Sequence, residues 1–271
     1  MSFNNLSNRN KGIIFIIISA FGFAMMSAFV KLSGDLPSFQ KTFFRNLVSC
    51  FIALYFIIRN NESFFGKKEN QKVLLMRSFF GTLGIIFNYY AIDRLVLSDA
   101  NMLNKLSPFF VIIFSAIFLK ESINFKQILP IIIAFLGTLF IIKPTFNLDI
   151  IPSLAGFLGA IFAAAAYTCL RKLGKKENQY TIVFYFSLFS LVVIFPFLLI
   201  VYKHMSLIQL TYLLLAGVFA SLGQFCITLA YRHAPAKEIS IFDYSNIIFS
   251  AIISLIFFGT LPDYLSVIGY I

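Results

Sequence analysis

Residues 83–94 read LGIIFNYYAIDR, and residues 222–233 read LGQFCITLAYRH. The two stretches align without a gap at an offset of about 139. Leu83-Gly84 falls on Leu222-Gly223, and Tyr90-Ala91-Ile92-Asp93-Arg94 falls on Leu229-Ala230-Tyr231-Arg232-His233. Further along, Asp99 meets Glu238, and Leu119-Lys120-Glu121 meets Phe258-Gly259-Thr260. With one residue of slippage, Val30-Lys31 meets Leu170-Arg171. The match is weak at each position but sustained along the chain, which marks an internal duplication.

What is duplicated is a set of apolar segments. Of the 271 residues, 59% are hydrophobic and 12% charged, and the mean hydropathy is +0.88. Soluble domains carry about 45–50% apolar and about 25% charged residues. A soluble enzyme, a disordered chain and a nucleic-acid binder are therefore excluded. The net charge of +11 has too little polar surface around it to form a basic face on a soluble core. A spanning helix needs about 20 apolar residues. Such segments fall at 12–32, 38–58, 73–91, 98–118, 125–143, 152–171, 180–201, 207–230 and 240–258, with a last one starting near Tyr264. The runs are continuous, not alternating, so helices are expected and not a barrel. Cys50, Cys169 and Cys226 sit inside apolar runs, so no disulfide framework is expected. The first run lacks a suitable cleavage site and reads as an uncleaved helix.

Loop charge orients the chain. Arg9 and Lys11, the group Arg59, Lys67, Lys68, Lys72 and Arg77, then Lys120 and Lys126 fall on one side with the group Arg171, Lys172, Lys175 and Lys176 and with Arg232 and Lys237. The excess of basic residues there puts the N-terminus in the cytoplasm. Each half holds five spans, an odd number, so the second half lies upside down relative to the first. The loop after the sixth span is strongly basic and its counterpart after the first is not. The expected fold is an all-α polytopic membrane protein with ten transmembrane helices in two inverted five-helix repeats, 1–145 and 146–271. Inverted repeats are a transporter signature, with the substrate site near the midplane between the halves. The fifth span ends near Lys143, and the offset places the end of the tenth about ten residues beyond Ile271. The last helix is therefore expected to be truncated, with its C-terminal segment missing.

Several stretches carry a family resemblance. They are Ser19-Ala20-Phe21-Gly22-Phe23-Ala24, Phe44-Arg45-Asn46, Tyr90-Ala91-Ile92, Phe118-Leu119-Lys120-Glu121 and Phe257-Phe258-Gly259-Thr260-Leu261-Pro262. With ten spans and short loops, the chain resembles the EamA-type branch of the drug/metabolite transporter superfamily. The family pattern has Gly-Glu after the fourth and ninth spans; here these positions read Lys120-Glu121 and Gly259-Thr260. The resemblance implies transport of small metabolites. Some members export amino acids, amines and other metabolites, and others import nucleotide-like compounds or vitamins.

Polar groups inside a span default to function or helix packing. Ser98, Asn101, Asn104, Lys105 and Pro108 share one broad face of the fourth span. Pro108 frees a backbone carbonyl one turn earlier and can bend the helix. This face either lines the substrate path, with Lys105 as an anion partner, or Lys105 snorkels outward and the asparagines tie helices together. Asp243, Asn246, Ser250 and Ser254 form a stripe on the ninth span. Asp243 could hold a substrate amine or carry a proton; the alternative is an interfacial acid paired with Lys237 or Arg232. Asn104 and Asp243 are equivalent at the repeat offset. Arg77, Gly81, Gly84 and Asn88 share a face of the third span, and Gly217, Ser221, Gln224 and Thr228 one of the eighth. The glycines permit close packing, and Asn88 and Gln224 are cavity candidates. Tyr167 could supply an amphipathic wall. Arg45, about 10 Å into its span, reads as a structural ion-pair partner or an anion partner, with snorkelling as the alternative.

The candidate substrate-binding set is Asn88, Asn101, Asn104, Lys105, Tyr167, Gln224, Asp243 and Asn246. No catalytic residue, metal ligand or cofactor is expected. His204 and His233 lie in loops, and no paired acids support intramembrane catalysis. No Gly-x-x-x-x-Gly-Lys-[Ser/Thr] loop supports a nucleotide-driven pump. Short loops leave little surface for a scaffold. The expected partners are a small-molecule substrate and the lipid bilayer, with a homodimer as a further option. The expected activity is alternating-access export or exchange of an amino acid, amine or similar metabolite across the cytoplasmic membrane. Import of a nucleotide-like metabolite or vitamin is the second reading.

Overall fold

The computed structural model describes residues 6–120, 133, 136, 150–234 and 236–259. Among these residues all regular structure is helical. The principal helices are α1 (Asn8–Leu32), α2 (Ser38–Asn60), α3 (Gln71–Arg94), α4 (Leu97–Asn104), α5 (Ser107–Leu119), α6 (Ile151–Leu173), α7 (Gln179–Val201), α8 (Leu207–His233) and α9 (Ser245–Phe258). A single turn, Ala236–Ile239, and a 3-10 segment, Ser240–Tyr244, precede α9. Among the described residues, seven helical stretches are long and apolar enough to cross a membrane, counting α4 and α5 as one stretch, Asp99–Leu119. The chain is a multi-pass membrane protein. Apart from Ile133 and Leu136, the fifth span lies outside the described residues, as do Glu121, Lys126, Lys143, the start of the tenth span and the chain end.

The helix ends follow local chemistry. The Ser7 hydroxyl accepts from the Asn10 N–H at 3.2 Å and opens α1. Ser206 and Gln209 form a reciprocal capping box on α8, at 3.3 and 2.9 Å. Lys120 and Gly259, equivalent at the repeat offset, both close their helices in the left-handed region, with φ of 55° and 61°. Glycine takes that conformation freely and lysine does not.

Helix pairings come in exchange-related sets. Helix α1 packs on α8, as α6 packs on α3; α2 packs on α8, as α7 packs on α3; α1 packs on α9, as α6 packs on α4 and α5. The tightest crossings use glycine. A Cβ at Gly22 would lie 3.0 Å from the Gly223 nitrogen, and one at Gly84 would lie 3.1 Å from the Ala163 nitrogen. Gly159 faces the Asn88 backbone at the same 3.1 Å. These contacts let backbones approach where lipid gives helices no hydrophobic reason to associate.

The fourth span is broken. Pro108 does not bend a continuous helix; it sits in the first turn of a new one, α5. The Phe109 N–H turns to Leu106 O at 3.1 Å, which releases the Lys105 carbonyl. The Tyr244 hydroxyl donates to that carbonyl at 3.3 Å. Tyr244 lies where the second half is also interrupted, as the last residue of the 3-10 segment before α9. The ninth span, expected to run unbroken from 240, is therefore α-helical only from Ser245. Discontinuous helices lining a cavity are typical of transporters.

Side chains tie the bundle at both ends. At one, the Glu177 carboxylate accepts from the Lys67 N–H at 2.8 Å and from Asn70 Nδ2 at 2.6 Å. At the other, the Gln40 amide bonds the Lys203 backbone in both directions, at 2.9 and 3.0 Å. Lys41 and Asp93 form an ion pair there, and Lys31 Nζ donates to Leu95 O at 2.6 Å.

Candidate functional site

The broken helices and the glycine crossings leave a cavity of about 60 Å³ inside the bundle. Helices α1, α2, α3, α4, α6, α7, α8 and α9 all contribute to its wall. Seven of the eight candidate residues line it: Asn88, Asn101, Asn104, Lys105, Tyr167, Gln224 and Asn246. Asp243 stands behind this wall, and its Oδ2 accepts from Lys105 Nζ at 2.9 Å. Both side chains of this pair are 6% exposed. Lys105 therefore does not snorkel, and Asp243 is a buried acid paired with Lys105. A buried ion pair is viable when each charge answers the other. The second carboxylate oxygen, Asp243 Oδ1, is buried without a hydrogen-bond partner.

The asparagines divide by role. Asn101 accepts from the Ser27 hydroxyl at 3.1 Å and donates to Ser250 Oγ at 3.0 Å. Asn246 donates to Ala20 O at 2.6 Å. These bonds join α1, α4 and α9, so the two amides tie helices while bordering the cavity. Asn88 instead keeps a buried, unpartnered Oδ1. Tyr167 packs on Tyr231, with ring centroids 5.9 Å apart. Phe23, Met26, Ile85 and Phe186 form the apolar part of the wall.

Two arginines join the site. Arg45 is in the wall, and it makes a hydrogen bond to the neutral Asn46 at 2.7 Å in place of the expected ion pair. Arg77, counted among the cytoplasmic basic residues, is 1% exposed and donates to Gln224 Oε1 at 2.8 Å. Its guanidinium sits 4.0 Å from the Phe186 ring centroid. The signal for Arg77 was present in the helical face it shares with Gly81, Gly84 and Asn88; counting loop charges hid it.

The EamA-like transporter family model matches residues 10–143 and again residues 150–271. The chain belongs to the EamA-like transporter family. This EamA transporter is 32% identical over 261 residues to the pseudopaline exporter CntI of Pseudomonas aeruginosa, covering 95% of this chain and 91% of that protein. It is 28% identical over 275 residues to the human solute carrier family 35 member G1, covering 95% of this chain and 75% of the human protein. A solved crystal structure matches with a TM-score of 0.73 at 12% identity, over 96% of this chain and 92% of that one, a likeness of fold alone. Family and relatives together make the chain a membrane transporter of a small-molecule substrate.

Proposed function

We propose that the chain is a secondary transporter that exports or exchanges a small metabolite across the cytoplasmic membrane by alternating access. In this reading it is built as two inverted five-helix repeats, 1–145 and 146–271, with the N-terminus in the cytoplasm. The observation that carries the reading is the position of the polar cavity. It lies where the broken fourth span meets the equivalent break before α9, between the two halves. The exchange-related helix pairings support the inverted repeat, and the basic loops support the orientation. Export is favoured over import by the likeness to a protein named as an exporter.

Counterflow tests it. Proteoliposomes holding the purified full chain are preloaded with one unlabelled solute from a panel of amino acids, amines and organic acids. External labelled solute should accumulate transiently for at least one member. A folded, correctly inserted chain that supports no counterflow of any member would refute the reading.

A further inference from the structure

Two guanidinium groups face the cavity, and no carboxylate among the described residues answers either of them. Arg45 and Arg77 are each 1% exposed. Their hydrogen-bond partners, Asn46 and Gln224, are neutral amides. Their guanidinium carbons lie 5.8 and 4.0 Å from the centroid of the same ring, Phe186. The Nε of each is buried without an acceptor. Lys105, the third cation of the wall, is matched by Asp243. The described wall therefore carries two unmatched positive charges.

Buried charge without a counter-ion is costly, and more so at membrane depth. An amide dipole and a ring face offset only part of that cost. A sequence under no demand for positive charge would place apolar residues here. The guanidinium fork suits one kind of group, the paired oxygens of a carboxylate or phosphate. Gly81 fits the same purpose. A Cβ there would run into the Arg77 guanidinium and lie 2.9 Å from Phe186, so glycine keeps room for both.

We propose that the cavity binds a small organic dianion, with Arg45 and Arg77 as docking groups for its carboxylates. This rests on the transporter reading above and narrows its substrate from amino acids and amines in general to acids. A purely cationic amine would face both guanidiniums and is rejected.

Thermal unfolding of the purified full chain in detergent tests the proposal, with succinate, glutamate, inorganic phosphate, putrescine and chloride added at matched ionic strength. Succinate and glutamate should raise the midpoint, and putrescine and chloride should not. Arg45→Gln and Arg77→Gln should each weaken the apparent affinity for succinate at least tenfold. Their ligand-free midpoints should hold or rise, because an unmatched charge has been removed. A purely structural arginine would instead lower the ligand-free midpoint and leave the succinate response intact. Arg77→Lys keeps the charge without the fork; it should fold and bind succinate more weakly than the parent chain. The proposal falls if succinate acts no differently from chloride, if phosphate stabilises and succinate does not, or if the glutamine variants bind succinate unchanged. Succinate binding without counterflow of any solute would keep this proposal and remove the transporter reading. Counterflow of putrescine with no succinate response would do the reverse.

Discussion

Lys105 and Asp243 stand 2.9 Å apart where water barely reaches. Removing one member of such a pair strands the other, which costs about 3–5 kcal/mol. Asp243→Asn should therefore destabilise the chain strongly, whereas Lys105→Met combined with Asp243→Leu should recover most of the loss. Chemical or thermal unfolding of the two variants checks this, and a double variant as weak as the single one would contradict it. A second residue-scale expectation concerns Lys120, which holds a φ of 55° that its equivalent Gly259 adopts without a Cβ. Lys120→Gly should stabilise by about 1 kcal/mol, visible as a raised unfolding midpoint. At this scale much of the site was legible, because an amide or charge inside an apolar run stands out by its desolvation cost. Arg77 was not, for a physical reason. It follows Lys67, Lys68 and Lys72 in sequence, and only the distant Gln224 and Phe186 draw its guanidinium inward. The pairing of Lys105 with Asp243 was equally hidden, since composition does not say which helices meet.

Helix extents followed hydropathy closely. The second span, expected at 38–58, is Ser38–Asn60, and the sixth, expected at 152–171, is Ile151–Leu173. The breaks were half legible. Pro108 announces the first, because it cannot donate to the carbonyl one turn back. The second has no proline among its described residues, and the 3-10 segment that ends at Tyr244 carries no pattern that differs from a continuous helix. Tyr244→Phe removes the donor to the Lys105 carbonyl. An unmet buried acceptor costs about 1–3 kcal/mol, so the variant should unfold earlier by that amount. The glycine crossings make a sharper demand. Gly84→Val and Gly223→Val each place a branched side chain against a neighbouring helix, at the Ala163 backbone and the Phe23 ring respectively. Gly84→Val should sharply lower the yield of folded protein in size-exclusion chromatography. Gly223→Val should be milder, because a phenylalanine side chain can turn aside and a backbone cannot.

At the scale of the whole molecule, helix pairings related by exchange of halves surround one cavity and are tied at both ends. Alternating access requires those ties to open in turn. The Glu177 bonds to Lys67 and Asn70 belong to the end with the basic loops, and the Gln40 bonds to Lys203 belong to the other. Glu177→Gln should weaken the first set and favour opening on that side; Gln40→Ala should favour opening on the opposite side. The sequence likeness of Leu83-Gly84 to Leu222-Gly223 falls on glycines that sit at tight helix crossings. The charge stored in the cavity was not legible in the sequence, since it depends on side chains from different helices converging. Asn104, on the cavity wall, offers the most direct measurement of the central reading. In a chain whose natural cysteines are replaced by alanine, Asn104→Cys is exposed to a membrane-impermeant maleimide from one side of sealed vesicles at a time. An alternating-access carrier should label from both sides, with Glu177→Gln and Gln40→Ala shifting the balance in opposite directions. Labelling confined to one side in the parent chain and in both variants would contradict it.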